Sequence, residues 1–273
     1  KQICLSGHYA NILTGLCKPE EIRWITERAV QLRNEFNLPI NSVMLTDIPG
    51  VSWSEVQSLA DNGFKYFSCG PNYQPQFPDL GERIGGTIRE LGDKPFYWMS
   101  ENGKSKILFW VAGRGYSMFH QIPFADLDEK RKDKLSDYMN ELDSIGYPYD
   151  LVQLCYNIKT DNGPADSTLC DFVKLWNEKY ISPKLMITSV SEMMEKFEKH
   201  YGKLLPVHSG DFTPYWEDGA YSTAKEEGEI RVLSEKIIQL QKYYALNPSK
   251  NVDTNMFYRA RRSVVMFQEH TWG

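Results

Sequence analysis

Residues 42–50 read Ser-Val-Met-Leu-Thr-Asp-Ile-Pro-Gly, and this short stretch decides the fold class. An apolar run ends at a single carboxylate, Asp47, and the chain then turns at once through Pro-Gly. Adjacent Pro and Gly mark a turn, so the run before them is bounded as a strand. Functional side chains of α/β folds lie at the carboxyl ends of such strands. The stretch predicts an α/β fold with Asp47 as a candidate functional residue, and the alternative for Asp47 is a helix or turn cap.

Strand patterns and helix patterns alternate along the rest of the chain, which predicts a mostly parallel sheet with flanking helices. Strands are predicted at 43–46, 64–68, 96–99, 106–111, 150–155 and 184–188, and the first residues have the pattern of the middle of a strand. Helices are predicted at 19–35, 53–62, 126–145, 167–180, 191–201, 220–244 and over much of 254–270. Residues 101–104, Glu-Asn-Gly-Lys, indicate a hairpin, and residues 70–92 indicate a long loop.

Composition excludes several classes of protein. The 273 residues carry a formal net charge of −5, and the basic residues do not cluster, which argues against a nucleic-acid partner. The five cysteines are odd in number and form no C-x-x-C pair, which argues against a disulfide framework or a thiolate zinc site. No apolar stretch is long enough to cross a bilayer. We expect a soluble protein without a membrane partner, and the compartment stays open, with the periplasm and secretion as candidates.

Aromatic residues make up 13% of the chain, with 7 Trp and 16 Tyr. Such rings either fill a large core or serve as stacking platforms for sugars, and composition alone favours the core. One segment concentrates them: residues 208–219 read His-Ser-Gly-Asp-Phe-Thr-Pro-Tyr-Trp-Glu-Asp-Gly. The segment is either an ordinary loop with buried aromatics or a sugar-binding rim, with rings for the sugar face and carboxylates for hydroxyls.

Two further places carry candidate chemistry. His270, in Phe-Gln-Glu-His-Thr-Trp-Gly at 267–273, is a lone histidine whose neighbours Glu269 and Trp272 are suited to the wall of a polar pocket. A lone histidine is more often a structural residue than a ligand. Residues 157–166 follow the predicted strand 150–155 and contain Asp161 and Asp166. Asp166 is the natural N-cap of the next helix, whereas Asp161 stays open as a second carboxylate.

Several segments, in this order, are similar to a known family. They are the Asp-Ile-Pro-Gly-Val-Ser turn at 47–52, the strand 63–67, the hairpin 96–108, the stretch from Gly210 to Ser222 with Arg231, and His270. Together they resemble the amino-terminal catalytic domain of glycoside hydrolase family 38, the α-mannosidase family. The likeness covers most of the 273 residues, and the shared order of the motifs makes it more specific than any motif alone.

The resemblance implies a seven-stranded, mostly parallel α/β barrel and a retaining, zinc-dependent hydrolysis of α-linked sugars. By position, Asp47 matches the nucleophile, which is also a zinc ligand, and His270 matches the late zinc-binding histidine. Retaining hydrolysis needs a second carboxyl group about 5 Å away as acid and base, and Asp161 is the nearest candidate. Substrate contacts are expected from the aromatic and acidic positions of the matching segments: Trp98, Asp211, Phe212, Tyr215 and Trp216.

The resemblance also bears on domain organisation and on the zinc site. The family supplies its remaining zinc ligands from a His-x-Asp pair on the first strand, and no His-x-Asp occurs in this chain. We therefore expect residues 1–273 to be a single catalytic domain from a longer protein, without its first strand and its carboxyl-terminal β domains. The expected partner is an oligosaccharide or glycan substrate, and the oligomeric state stays open.

Two other functions remain compatible with the sequence. One is a non-catalytic carbohydrate-binding domain on a degenerate hydrolase scaffold, because no Asp stands at the family's acid/base position and Thr271 replaces an Asp that contacts the sugar. The other is a metal-dependent polysaccharide deacetylase, which would also use Asp and His ligands, with a bound water as nucleophile.

Overall fold

A computed structural model describes residues 3–48, 51–71, 91–112, 116, 129–156, 164–212, 215–247, 251 and 253–270. Five strands form one sheet in the order β1-β2-β4-β3-β5. Their bounds are β1 Ser42–Asp47, β2 Tyr66–Pro71, β3 Phe96–Met99, β4 Lys106–Val111 and β5 Val207–His208. The fold is thus mixed α/β with a mostly parallel sheet, as the alternating patterns predict.

The strand register places Asp47 at one edge of the sheet. Strands β1, β2 and β4 run parallel, with Asp47 opposite Pro71 and with Cys69 opposite Val111. Strand β3 is antiparallel to β4, which confirms the predicted hairpin, and it pairs in parallel with β5. The carboxyl ends of β1, β2 and β4 therefore meet at the edge that carries Asp47.

Eight helices are described, and several of them cover the two faces of the sheet. Their bounds are α1 Pro19–Trp24, α2 Glu27–Phe36, α3 Glu55–Asp61, α4 Glu129–Ser144, α5 Leu169–Lys179, α6 Val190–Tyr201, α7 Ala224–Leu246 and α8 Thr254–Phe267. Short 3₁₀ helices lie at Thr14–Leu16, Gly202–Leu204 and Tyr215–Thr223. No described helix combines the length and the apolar character needed to cross a membrane.

Alternating side chains of the strands supply two cores, one on each face. Val43, Leu45 and Phe67 pack on one face with Val56 and Leu59 of α3. The other face buries the aromatic and aliphatic side chains of Tyr66, Leu108, Trp110, Met194 and Phe197. A separate cluster of Ile12, Trp24, Ile25 and Val265 joins the amino-terminal segment, α1 and α8. This last cluster fixes α8, and with it the segment that follows, against residues near the start of the chain.

Two predicted strands are wrong because their backbone bonds go elsewhere. Residues 184–188 pair with a side chain: Asn177 Nδ2 donates to the Leu185 carbonyl at 2.7 Å and Asn177 Oδ1 accepts from the Leu185 amide at 2.9 Å. In 151–156 the Leu151 carbonyl accepts from Tyr147 Oη at 2.6 Å. Within the described residues, these segments join no ladder. The described residues thus show a sheet of five strands and do not show the predicted seven-stranded barrel.

The predicted helix 19–35 is two helices in the structure. The Thr26 hydroxyl donates to the Arg23 carbonyl at 3.3 Å and accepts from Asn62 Nδ2 at 2.8 Å, so this buried side chain competes with the backbone and separates α1 from α2. The predicted amino-terminal strand is wrong for residues 3–8, which form no strand. This segment lies beside β1, where the Gly7 amide donates to the Ser42 carbonyl at 2.9 Å. Of the predicted loop 70–92, the first two residues belong to β2, and residues 72–90 lie outside the described part.

Candidate active site

Asp47 ends β1 in an uncommon backbone conformation. Its φ is +73°, in the left-handed region, which costs a non-glycine residue roughly 1–2 kcal/mol. The side chain is 21% exposed, so the carboxylate is accessible from solvent at the carboxyl edge of the sheet. A strained residue that the surrounding structure holds in place is a reason to look for function there.

His270 lies in direct contact with Asp47, although 223 residues separate them along the chain. His270 Nε2 is 3.0 Å from Asp47 Oδ2, and the imidazole is only 16% exposed. On the other side of the ring, Nδ1 is 2.6 Å from Glu269 Oε1. The structure therefore brings the two predicted metal-binding residues together and places the imidazole between two carboxylates.

The amino-terminal segment holds the two halves of the site together. Asn11 Oδ1 accepts from the Thr46 amide and Asn11 Nδ2 donates to Thr46 Oγ1, both at 3.3 Å. The backbone carbonyl of Asn11 accepts from the His270 amide at 2.9 Å. Asn11 thus contacts the residue before Asp47 and His270 itself, a brace that the sequence analysis did not identify.

The electrostatics of the site favour a positive charge on the histidine. Hydrogen bonding to Asp47 raises the pKa of His270 above its ordinary value, and Glu269 adds to the rise, whereas partial burial opposes it. A neutral imidazole has one N–H, so only one of its two carboxylate contacts can then be a hydrogen bond. The contacts with Asp47 and Glu269 are both favourable when both ring nitrogens carry a proton, or when another cation takes the place of one of these protons.

The donor types at this site suit zinc, but only two neighbouring ligands are evident. Zinc takes imidazole nitrogen and carboxylate oxygen, and His270 Nε2 and Asp47 Oδ2 lie 3.0 Å apart, close enough to bind one ion. Glu269 beside Nδ1 matches the carboxylate that commonly orients a metal-binding histidine. Within the described ranges, no group of three or more His, Cys, Asp or Glu is arranged to hold a metal. The two residues fit as part of a zinc site, not as a complete one.

The segment 210–212 is hydrogen-bonded to residues 51–53, which lie just before α3. Val51 and Phe212 exchange two backbone hydrogen bonds, at 3.1 and 3.2 Å. Asp211 Oδ1 accepts from the Trp53 amide at 3.0 Å, at the turn just before α3. Asp211 is exposed and lies next to the turn that leads away from the site. Its proposed contact with a sugar stays a prediction, but its described bond already has a structural role.

Trp98 and Phe212 lie in the core, not on an open rim. Trp98 is 0% exposed, and its Nε1 donates to the Gly210 carbonyl at 2.9 Å. The Phe212 ring packs on Phe96, Trp98 and Phe109, with centroid distances of 5.1 to 5.9 Å. A stacking platform needs a ring face open to the ligand, which Trp98 lacks. The burial of Trp98 does not support the predicted substrate contact of this residue, and Phe212 is chiefly a packing residue.

The other predicted residues are less fully placed. Tyr215 and Trp216 begin the 3₁₀ helix Tyr215–Thr223, and their side chains are not among those described. Asp161, the candidate acid/base, lies outside the described residues. Asp166 lies just before α5, where its Oδ1 accepts from the Thr168 amide at 2.8 Å, but the N-cap of α5 is Thr168, so the predicted N-cap role of Asp166 is wrong.

Comparison with known proteins supports the fold and goes no further. No protein-family model matches the chain, and no curated protein matches it either. Among solved structures, the chain is similar to the crystal structure of an alpha-mannosidase from Enterococcus faecalis V583, with a TM-score of 0.56 and 12% sequence identity. The match covers 76% of this chain and 22% of the mannosidase chain, so this chain spans about a fifth of the mannosidase's length. The chain has an alpha-mannosidase-like fold, with Asp47 and His270 in contact at one edge of its sheet.

Proposed function

We propose that this chain is the catalytic domain of a retaining glycoside hydrolase of the family 38 type, acting on α-linked sugars, with Asp47 as nucleophile. The observation that carries the proposal is the contact between Asp47 and His270. Two residues singled out by motif order, and distant in sequence, lie together at the carboxyl end of a strand. The mannosidase-like fold supports the same conclusion.

In the proposed reaction, Asp47 attacks the anomeric carbon of the bound sugar and forms a glycosyl ester while the glycosidic oxygen leaves with a proton. Water then attacks the same carbon, the ester bond breaks, and Asp47 is regenerated as a carboxylate with net retention of configuration. The proton on the leaving oxygen comes from a second carboxyl group, which later accepts a proton from the water. Asp161 remains our candidate for that group.

His270 supports Asp47 in this scheme by holding the carboxylate in one orientation. If the protein binds zinc, Asp47 and His270 are the residues of this chain that would hold it, with further ligands from elsewhere. A bound zinc would supply a Lewis acid for the sugar hydroxyls. The amino-terminal brace through Asn11, which is bonded to Thr46 and to the His270 amide, holds Asp47 and His270 at the carboxyl end of β1.

The test is the substitution Asp47→Asn, assayed with an aryl α-mannoside and a panel of other aryl glycosides. Loss of a catalytic nucleophile should lower kcat by roughly 10³-fold or more, with the fold intact by circular dichroism. Asp61→Asn is the matched control, because Asp61 is an exposed helix residue whose described bond is to Gln57. Undiminished turnover in Asp47→Asn would refute the nucleophile.

The same panel separates the two other functions. Oligosaccharide binding by calorimetry with no hydrolysis of any glycoside would show a non-catalytic binding domain. Release of acetate from an acetylated polysaccharide without new reducing ends would show a deacetylase. Either result would replace the hydrolase proposal.

A further inference from the structure

The contact between Glu269 and His270 is the shortest one at the imidazole. Glu269 Oε1 is 2.6 Å from Nδ1, and both side chains are 16% exposed. The backbone fixes this geometry: Glu269 forms an antiparallel bridge with Ile12, and the Leu13 amide donates to the Gln268 carbonyl at 2.8 Å. Backbone hydrogen bonds therefore hold residues 268–270 against the amino-terminal segment, and Glu269 is not a mobile surface side chain.

The geometry also restricts which ring nitrogen keeps its proton. When the imidazole has a single N–H, it can donate either to Glu269 through Nδ1 or to Asp47 through Nε2. The Nδ1 contact is 2.6 Å and the Nε2 contact is 3.0 Å. The shorter contact, made by a carboxylate that the backbone holds in place, favours the proton on Nδ1. The Nε2 lone pair then faces Asp47.

We propose that Glu269 is a positioning residue: it accepts Nδ1–H of His270 and so directs Nε2 toward Asp47 Oδ2. Nε2 is then the ring nitrogen whose lone pair could accept a proton or a metal ion. The importance of Glu269 for catalysis rests on the proposed function of Asp47, whereas the tautomer that Glu269 selects does not. Carboxylates hold histidines in this way in many metal sites and catalytic sites, where the ring orientation sets what the second nitrogen can do.

The tautomer can be measured directly by NMR on the full chain with 15N-labelled histidine. The chain has five histidines, and the signals of His270 are those lost in His270→Gln. At a pH above the pKa of His270, long-range 1H–15N correlations distinguish a protonated from an unprotonated ring nitrogen. We expect protonated Nδ1 and unprotonated Nε2 in the native protein.

Variants at Glu269 give the decisive comparison. Glu269→Ala removes the acceptor, so the proton should move to Nε2, where Asp47 accepts it. Glu269→Gln keeps a carbonyl oxygen in nearly the same place and should retain protonated Nδ1. Glu227→Gln is the matched control, because Glu227 Oε2 accepts from Gln268 Nε2 at 3.1 Å and lies beside the same segment. This control should not change the tautomer.

Native protein with protonated Nε2, or Glu269→Ala with an unchanged tautomer, would overturn the positioning role even if Asp47→Asn abolished turnover. Conversely, the expected tautomers would uphold it even if Asp47→Asn turned over normally, so the two proposals fail separately. In an active protein, Glu269→Ala should also lower kcat by about 10- to 100-fold and Glu269→Gln by less. Unchanged kcat in a variant whose tautomer has switched would overturn the functional importance of Glu269.

Discussion

Gly7 is the position at which a single methyl group should do the most damage near the site. A Cβ atom built on Gly7 would lie 2.3 Å from Phe64 Cε1, 2.7 Å from Phe64 Cζ and 2.8 Å from Val43 Cγ1. Phe64 is 2% exposed and Val43 is fully buried, so neither side chain can turn into solvent. The Gly7 amide is also bonded to Ser42, so the backbone cannot retreat without losing that bond. Gly7→Ala therefore overpacks a core that has no free volume at this point.

The expected loss lies near the upper end of the range for overpacked cores, about 3 kcal/mol in the free energy of unfolding. Gly228→Ala is the matched control: Gly228 lies in the exposed interior of α7, and its added Cβ would meet nothing within 4 Å. Replacing an exposed helical glycine by alanine should raise stability by about 0.5–1 kcal/mol. The same substitution at two positions thus has opposite predicted signs.

Guanidinium unfolding followed by tryptophan fluorescence measures both effects through the midpoint at an unchanged m-value. The packing of the amino-terminal segment against β1 would be refuted if Gly7→Ala unfolded at the same midpoint as the native protein. A lower midpoint for Gly228→Ala would contradict the exposed helix at that position. If Gly7→Ala does not fold, its recovery as inclusion bodies, beside soluble Gly228→Ala, would likewise show that the substitution at Gly7 destabilises the protein.

Two further predictions concern ionisable pairs. His8 Nε2 is 2.6 Å from Glu55 Oε1, with both side chains almost fully buried. His8→Leu and Glu55→Leu should each lower the free energy of unfolding by about 3–5 kcal/mol. The double variant should lose less than either single variant, because removing both partners leaves neither of these two buried groups unpaired. Strictly additive losses in urea unfolding would contradict this. The second pair is His270 with Asp47, whose hydrogen bond is the chief cause of the raised pKa of His270. Protonation of His270 therefore stabilises the folded state, and this contribution is fully present below the unfolded pKa of about 6.5. The contribution is lost as pH rises through the higher pKa of the folded state. The stability difference between the native protein and His270→Gln should shrink from about pH 6.5 upward, and a constant difference would refute the pairing with Asp47.

Local pattern was sufficient for the parts of the fold in which local and tertiary preferences agree. The strand predicted at 43–46 is β1, the hairpin predicted at 101–104 joins β3 to β4, and the helix predicted at 191–201 is α6. The Ser189 hydroxyl caps α6 by accepting from the Glu192 amide at 3.1 Å. The apolar run 184–188 was predicted as a strand because pattern cannot show which group satisfies its backbone. In the structure that group is the Asn177 side chain, which replaces a neighbouring strand.

The candidate site was predictable to a similar degree. Asp47 follows from strand and turn chemistry, and the motif order selected His270 as its partner. The role of Asn11 could not be predicted, because it depends on which segments meet in three dimensions. Glu269 was recognised only as a neighbour of His270, because the sequence does not show that its carboxylate contacts Nδ1. Trp98 shows the converse: an aromatic residue in a matching motif was assigned to substrate, whereas burial makes it part of the core. The composition of the chain had already favoured a role in the core for its aromatic residues as a group.

Backbone conformation gives an independent reason to regard Asp47 as functional. Three non-glycine residues among those described have positive φ: Asn37, Asp47 and Asp93. Asn37 ends α2, the ordinary place for a left-handed residue, and Asp93 is buried against Tyr138 Oη at 2.5 Å and Trp110 Nε1 at 3.4 Å, so both have structural roles that explain them. Asp47 ends a strand, stays partly exposed, and faces a histidine that other segments hold in place. A glycine or asparagine would adopt this backbone conformation at lower cost, so what an aspartate adds at this position is its carboxylate beside His270.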